Sequence, residues 1–389
     1  MYVPSSDGGH ALYAHELLES LHASGGPFNF ELVSSTDLSP KFDSGRYVIH
    51  RLLPVLRDRK EYASKCHWIA DRTRYYVQRE RLFLKWLAGR PDISAVHLQE
   101  WKIWLFPKLV RRIAQLGKTV LATVHNVYPH RYPTGVPKAL IDGLGRRGCA
   151  HCSGLFVHTH RLADELRTML RSKGQPIHVV PHVVWSCQRP GNAIPIAQRL
   201  SLRKLLFFGV LRRNKGLHIF LQAAQLLPDV EITIAGSEQE PDYFQEECLP
   251  LIRQLQARGH RIDVRIRYIS DAEAAELFAT HSAVVMPYTD EFMAQSGVVY
   301  MAIAHDLPVI STRAGGLGDL LDEFPIGTLC DEATPQSLAV AIRELFSHPR
   351  PSELQRHLDA ARSHYSWESA AMATMRGYSA SVLAQGVRS

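Results

Sequence analysis

The chain reads as an α/β protein built from two Rossmann-like domains facing each other across a cleft. Three observations lead there. Short apolar strands alternate with amphipathic helical stretches along almost the whole sequence, the pattern of βαβ units and mostly parallel sheets. The alternation runs twice, and the two runs are separated by a stretch around Pro190 and Pro195 that lacks a helical period and reads as a linker. The length, 389 residues, calls for two or three domains, and two such domains conventionally hold a ligand between them. A hydrophobic share of 46% against 21% charged residues excludes a disordered chain. No apolar run reaches the length of a transmembrane helix.

The first domain is expected over 1–184. It opens on a strand over only 1–4, then Gly8-Gly9, then an amphipathic helix over 11–21 with Leu12, Leu17, Leu18 and Leu21 on one side. Buried parallel strands usually run to about five or six residues, so either this strand is short or the recorded start lies downstream of the true one. The N-terminus has no basic stretch ahead of an apolar core, so no signal peptide is expected. Strands follow at 28–33, 48–53, 95–98, 119–123 and 154–157, and Val179-Val180-Pro181-His182 ends the domain. Residues 185–203 are the linker.

The second domain is expected over 204–360. Its strands are 205–208, 231–235, 264–266, 283–286, 308–311 and 326–329. Its helices are 217–226, 242–257, 271–279 with Asp271 as N-cap, 297–304 and 335–346. Residues 361–389 form a terminal helix. Six scattered cysteines fit a reducing cytoplasm, and Cys149-Ala-His-Cys152 lacks the second pair a zinc site needs. No metal and no cofactor is expected.

Charge is unevenly placed. Residues 51–118 hold sixteen Lys or Arg against six Asp or Glu, interleaved with Tyr75, Tyr76, Phe83, Trp86, Trp101, Trp104 and Phe106. Such a face fits surface helices with buried aromatics, an anionic membrane surface or a phosphorylated acceptor. Nucleic acid is disfavoured, because the charge is confined to one segment without a recognition motif.

Two stretches carry the chemistry. In LLFFGVLRRNKG (205–216) an apolar strand ends in a basic loop with Arg212 and Lys215, and Gly216 opens a helix. In 283–297 another apolar strand runs into a polar loop, and Gln295-Ser296-Gly297 opens the next helix. Cations and free N–H groups at a helix start bind anions, and two such loops at the carboxyl ends of strands point to a diphosphate. In the first domain His125, in TVHN, stands just past the end of a strand, as do His97, Gln99 and Glu100 one strand earlier.

GVLRRNKGL followed by QSGVVYMAIAHDLPVISTRAGGL resembles the GT-B glycosyltransferases of the large retaining family 4, in the branch with GxIRxxKG and QSG motifs. The resemblance implies a nucleotide-sugar donor and retention of configuration by front-face attack, at a site that needs no metal. The basic aromatic segment favours a polyprenyl-linked saccharide acceptor, as in surface polysaccharide assembly, and a place in the cytoplasm or at the inner face of the membrane, with soluble saccharide acceptors open. His125 matches the His of a TxH motif that contacts the donor sugar. Arg212 and Lys215 would neutralise the diphosphate, with Gly9, Gln295, Ser296 and Gly297 supplying backbone and hydroxyl groups. The nucleoside would lie near Gly236, Tyr268 and Ile269, whose main-chain groups would read the base. Gly8, His10, His97, Gln99 and Glu100 fall on the acceptor side. Trp367 matches a packing residue of the terminal helix, which crosses back to the first domain.

One departure stands out. The wider family carries two glutamates eight positions apart, the second holding the ribose, and this chain has Met293 and Met301 there. Glu291 and Asp290 are the nearby substitutes for ribose binding. A silenced nucleotide-sugar binder and a nucleotide-sugar epimerase of the same architecture are the alternatives at this stage.

Overall fold

The computed structural model describes residues 1–6, 9–56, 61–128, 135–171, 174, 176–184, 193–292 and 296–386. The chain divides into two compact units, Met1–His182 with Trp367–Ser389, and Val183–Ser366.

In the first unit the strands are β1 (Glu31–Ser35), β2 (Val48–Leu53), β3 (Ala95–Leu98), β4 (Thr119–Thr123), β5 (Gly154–Val157) and β6 (Ile177–Val179). The helices are α1 (Gly9–Ala23), α2 (Lys65–Ala88), α3 (Phe106–Gln115), α4 (Lys138–Ala150) and α5 (His160–Leu170). Strands β3-β4-β5-β6 form one parallel sheet and β1-β2 a parallel pair. Tyr2 joins them, bridging Val33 on β1 and Leu98 on β3. The strand expected over 1–4 is thus reduced to one bridged residue. Its Tyr2 N–H donates to the His97 carbonyl at 2.8 Å and its carbonyl accepts from Gln99 at 3.2 Å. Strand β1 starts three residues later than expected, because Phe28 and Phe30 turn their rings to Tyr378, each at 6.0 Å. Every residue of β4 is buried, as a parallel strand covered on both faces requires. Ser64 caps α2 by accepting from His67 N–H, and Thr159 caps α5 by accepting from Leu162 N–H.

The second unit starts earlier than the linker reading allows. Residues 196–202 form α6 (Ile196–Leu202), with Ile196 and Leu200 buried in this unit's core. Arg199 hides the period, since it faces inward and donates to the carbonyl oxygens of Phe278 and Asp306. Six parallel strands follow: β7 (Lys204–Phe208), β8 (Glu231–Gly236), β9 (Ile262–Ile266), β10 (Ala283–Met286), β11 (Val309–Thr312) and β12 (Gly327–Cys330). Their spatial order is β12-β11-β10-β7-β8-β9. The helices are α7 (Leu217–Ala224), α8 (Pro241–Tyr243), α9 (Leu249–Ala257), α10 (Asp271–Thr280), α11 (Gly297–Ala304), α12 (Leu317–Glu323), α13 (Pro335–Ser347) and α14 (Pro351–His364). A π-helical turn, Phe244–Cys248, joins α8 to α9 within the single helix expected over 242–257. Ser270, not Asp271, caps α10, its hydroxyl accepting from Glu273 N–H.

The last helix, α15 (Trp367–Gly386), starts after a break at Tyr365-Ser366 rather than at 361, and belongs to the first unit. Trp367 lies 5.5 Å from the Tyr13 ring on α1, and Ser20 donates to its carbonyl at 3.0 Å.

Both sheets have a point where the strand order reverses. In the second unit it lies between β7 and β10, and in the first between Tyr2 and β3. The loops leaving the carboxyl ends of such strands diverge to opposite faces and leave a crevice for a ligand.

Candidate functional site

In the second unit, the crevice at β7 and β10 is bordered, among the described residues, by 209–216, 287–292 and 296. Thr289 N–H donates to the Asn214 carbonyl at 3.0 Å, tying the two loops together. Glycine makes this closeness possible. Gly216 has φ +70°, and a Cβ there would stand 1.9 Å from the Pro287 carbonyl oxygen. Gly236, at the end of β8, has φ +151°, and its Cβ would meet the Gly209 oxygen at 1.8 Å. Three loops are therefore drawn together at one end of the sheet.

Lys215 points into this place. Its Nζ stands 3.3 Å from where a Gly209 Cβ would be and 5.2 Å from the Tyr288 ring centroid. Burial, and then the charge of Arg212, lower its ammonium pKa to about 8. Arg212 is exposed and donates from Nε to Gln239 Oε1 at 2.5 Å. Among the described residues neither cation pairs with a carboxylate. Arg213 differs: it pairs with Glu247 and lies over the Tyr243 ring at 5.5 Å. Ser296 is the N-cap residue of α11, but its hydroxyl shares a hydrogen bond with Tyr288 OH at 3.0 Å and does not cap the helix. The first amides of α11 therefore keep their affinity for an anion.

In the first unit, a pocket of about 620 Å³ opens at the other reversal point, lined among others by Ser5, His10, Arg79, Gln99, Glu100, Thr123 and His125. Glu100 is held in place by Ser5, whose N–H and hydroxyl donate to its two oxygens at 3.1 and 2.5 Å. His10 Nε2 stands 4.0 Å from the same carboxylate. His125 Nδ1 meets His158 Nε2 at 3.1 Å, and His158 Nδ1 faces the Val180 carbonyl at 3.2 Å. A carbonyl only accepts, so His158 Nδ1 carries its proton, its Nε2 accepts, and His125 Nδ1 donates. Burial, reinforced by His10, lowers the His125 pKa to about 3 and keeps the ring neutral.

The two halves of the chain match two family models. Residues 7–184 match Glycosyltransferase Family 4, and residues 203–348 match Glycosyl transferases group 1. A D-inositol 3-phosphate glycosyltransferase of Pseudarthrobacter chlorophenolicus is 30% identical over 322 residues, covering 76% of this chain and 69% of the relative. The chain belongs to glycosyltransferase family 4. A glycogen synthase of Mycobacterium tuberculosis is 28% identical over 74% of this glycosyltransferase and 69% of the relative. The GT-B fold is shared with solved structures. Sucrose-phosphate synthase from Thermosynechococcus elongatus superposes with a TM-score of 0.69 at 17% identity, covering 97% of this chain and 94% of that one. Anabaena HepE in complex with UDP superposes at 0.67 with 13% identity, covering 97% and 98%.

Of the residues singled out in the sequence, the structure of the glycosyltransferase gathers Arg212, Lys215, Ser296 and Gly297 at one crevice. It gathers His10, Gln99, Glu100 and His125 at the other. Gly9 opens α1, and Gly8, Met293 and Gln295 lie outside the described residues. Met301 packs against the second unit's core.

Some expectations need correction. His97 does not line the pocket. It is 5% exposed, between Tyr378 OH at 2.6 Å and Thr123 Oγ1 at 2.9 Å, and burial lowers its pKa to about 3. It backs Thr123, a pocket residue, from behind. The main-chain groups expected to read a base are partly engaged. The Gly236 carbonyl accepts from Arg267 N–H at 3.0 Å and the Tyr268 carbonyl from the Arg267 guanidinium at 3.1 Å. Ile269 is buried, the Tyr268 ring is 76% exposed, and Glu291 and Asp290 are exposed.

Sequence reasoning missed Ser5, Arg79, Thr123, His158 and Tyr288 in this enzyme. For Arg79 a signal existed, because Tyr75, Tyr76 and Arg79 are spaced to share a helix face. Among the described residues no three His, Cys, Asp or Glu side chains gather as a metal site.

Proposed function

We propose that this glycosyltransferase moves a sugar from a nucleoside-diphosphate sugar to a saccharide or lipid-linked saccharide acceptor, retaining anomeric configuration and using no metal. The observation that carries the reading is the pair of cations, Arg212 and Lys215, that among the described residues pair with no carboxylate and stand beside the uncapped start of α11. Transfer breaks the bond from the anomeric carbon to the diphosphate oxygen, and negative charge collects on the departing phosphates. Prearranged cations and amides lower that barrier. Arg212 can meet two phosphate oxygens at once, while Lys215 supplies a point charge.

In a front-face course the acceptor oxygen bonds to the anomeric carbon on the side the diphosphate leaves. The acceptor proton passes to the leaving phosphate oxygen, so no carboxylate nucleophile is needed. The donor reading is supported by Anabaena HepE, solved with UDP and with UDP-glucose. The second unit then takes the donor and the first unit's pocket the acceptor, where Glu100 and Gln99 face hydroxyl groups. A peripheral position on an anionic membrane surface, at the cytoplasmic side, is supported by the exposed Val55, Leu56, Ile69 and Trp104 within the cationic stretch 51–118.

Thermal unfolding with a panel of nucleoside diphosphates and nucleotide sugars tests the donor site. One base should stabilise the wild type by about 2.7 kcal/mol at a hundredfold excess over Kd and should lose its effect in Lys215→Ala. No stabilisation by any of them overturns the reading. The coupling constant of the product's anomeric proton decides retention, and turnover in excess chelator decides metal independence.

A further inference from the structure

The first unit's pocket contains polar groups that the protein itself leaves unmatched. Gln99 is 1% exposed, and neither its amide oxygen nor its amide nitrogen has a hydrogen-bond partner among the described residues. Burying an amide without partners costs about 1–3 kcal/mol, so such a group is expected where a ligand completes it. Arg79 is 2% exposed, and its Nε and one terminal nitrogen lack a well-formed hydrogen bond. It forms no salt bridge among the described residues, although the Tyr75 side chain and the buried neighbouring Glu80 act on its charge. What surrounds its guanidinium is aromatic: the ring centroids of Tyr76, Tyr75 and Tyr2 lie 5.1, 5.7 and 5.8 Å away. Rings offset part of the desolvation of a cation but leave its charge unneutralised. Lys102 stands 5.3 Å from the Tyr76 ring and lines the same pocket. In the same pocket Glu100 is tied to Ser5, so its lining offers both cationic and hydrogen-bonding side chains.

A neutral saccharide would match Gln99 and Glu100 but leave the Arg79 cation with little more than Tyr75 and Glu80 to offset it. Burial pushes Glu80 toward its neutral form, raising its pKa to about 7. An anion alone would match Arg79 and leave Gln99 unmet. We infer that the pocket takes a phosphorylated, hydroxyl-rich molecule, its phosphoryl group at Arg79 and Lys102 and its hydroxyl groups at Gln99 and Glu100. This deepens the acceptor half of the proposed function and rests on that reading for the word acceptor. The binding chemistry itself stands without it. A volume of about 620 Å³ holds a phosphorylated sugar or cyclitol with room to spare. The phosphoryl group belongs either to a free sugar phosphate or to a lipid diphosphate carrying a saccharide.

The test is a calorimetric or ligand-detected NMR titration of the full chain with matched pairs, inositol phosphate against inositol and glucose 6-phosphate against glucose. A short-chain prenyl-diphosphate-linked sugar forms a third arm. At least one phosphorylated member should bind tenfold or more tightly than its partner. Arg79→Gln should bring the ratio within about twofold. Gln99→Leu should weaken both members alike and keep the ratio. Preference for the prenyl-linked probe over both sugar phosphates assigns the lipid source, and the reverse assigns the free one. Equal affinity for phosphorylated and plain members in the wild type, which needs no variant, overturns the inference. So does an unchanged ratio in an Arg79→Gln protein with wild-type melting. Nucleoside-diphosphate stabilisation is read on the same samples. Its absence would sink the transferase reading while leaving the phosphate preference to stand or fall alone.

Discussion

The two crevices sit at equivalent points of two similar sheets, yet they are made differently. In the second unit the site is mostly main chain: glycines at 209, 216 and 236, helix amides, and two cations within four residues of each other. In the first it is mostly side chain, drawn from Ser5, Arg79, Gln99, Glu100 and His125, with a neutral histidine pair at its edge. On the proposed reading the second unit's crevice holds a diphosphate and the first unit's pocket holds an acceptor. A diphosphate is the same in every nucleotide sugar, so backbone and fixed charge suffice to hold it. An acceptor differs from one enzyme to the next, and side chains can change without disturbing the strands beneath.

The largest test of this contrast is steric. Gly236→Ala places a methyl group 1.8 Å from the Gly209 oxygen at a φ that L-residues avoid. The β7 and β8 ends must separate, and we expect a loss of at least about 3 kcal/mol in chemical denaturation. Gly259→Ala, also at positive φ but with nothing within 4 Å, is the control and should lose about 1 kcal/mol. Equal losses would show that conformational strain, not loop approach, sets the cost.

Next comes charge. Lys215→Ala should lower kcat by about 10²–10³-fold, in the range of losing one stabilising donor, with little change in melting. Burial and the charge of Arg212 lower the Lys215 pKa to about 8, so its proton is held below that pH and lost above it. Diphosphate affinity should therefore fall as pH rises beyond about 8, up to tenfold per unit, and the fall should vanish in Lys215→Arg. A flat profile in the wild type would mean that Lys215 does not meet the phosphates.

These two tests also mark what the sequence makes legible. The cation loop and Ser296-Gly297 are contiguous, and the strand ends carrying them are apolar runs that any reading finds. The first pocket is not contiguous, since Arg79 comes from α2 and Ser5 from a segment that pairs through one residue. His97 and Gln99 are two apart at a strand end, and their fates diverge: one faces α15 and the other the pocket. Nothing local to VHLQEW tells which, because that depends on Tyr378, nearly three hundred residues away. Helix α6 was hidden for a similar reason. Its inward Arg199 is satisfied by carbonyls far along the chain, so it looks like a solvated residue of a linker.

Acid should separate the two units. His97, His125 and His158 are all held neutral by burial in the first unit, the first two with pKa values near 3 and the third well below its usual value. In the second unit burial holds His281 down to about 4 and also lowers His218, while in the first His178 is lowered as well. Each has a depressed folded pKa, so the unfolded chain binds more protons once the pH falls below about 6.5. Stability is full above that pH and is lost as the pH falls toward 3, by up to about 1.4 kcal/mol per unit for each histidine. The first unit's transition should move down more steeply, checked by calorimetry from pH 7 to pH 4. Parallel shifts would mean that the histidines open to water before unfolding.

The smallest effect on turnover is expected at His97. Its two hydrogen bonds are internal, to a helix-borne tyrosine and to the threonine that lines the pocket. Replacement by Gln keeps a donor and an acceptor but cannot reach both partners in the ring's geometry, and one buried group is left unmatched. Stability should drop by about 1–3 kcal/mol, the usual cost of such a group. The value of kcat/KM should stay within about threefold, because Thr123 keeps its backbone position on β4. A His97→Gln protein that melts normally but loses a hundredfold in kcat/KM would return this residue to the acceptor site. A protein that is only less stable would show the boundary of the pocket to lie at Thr123, with His97 as its support.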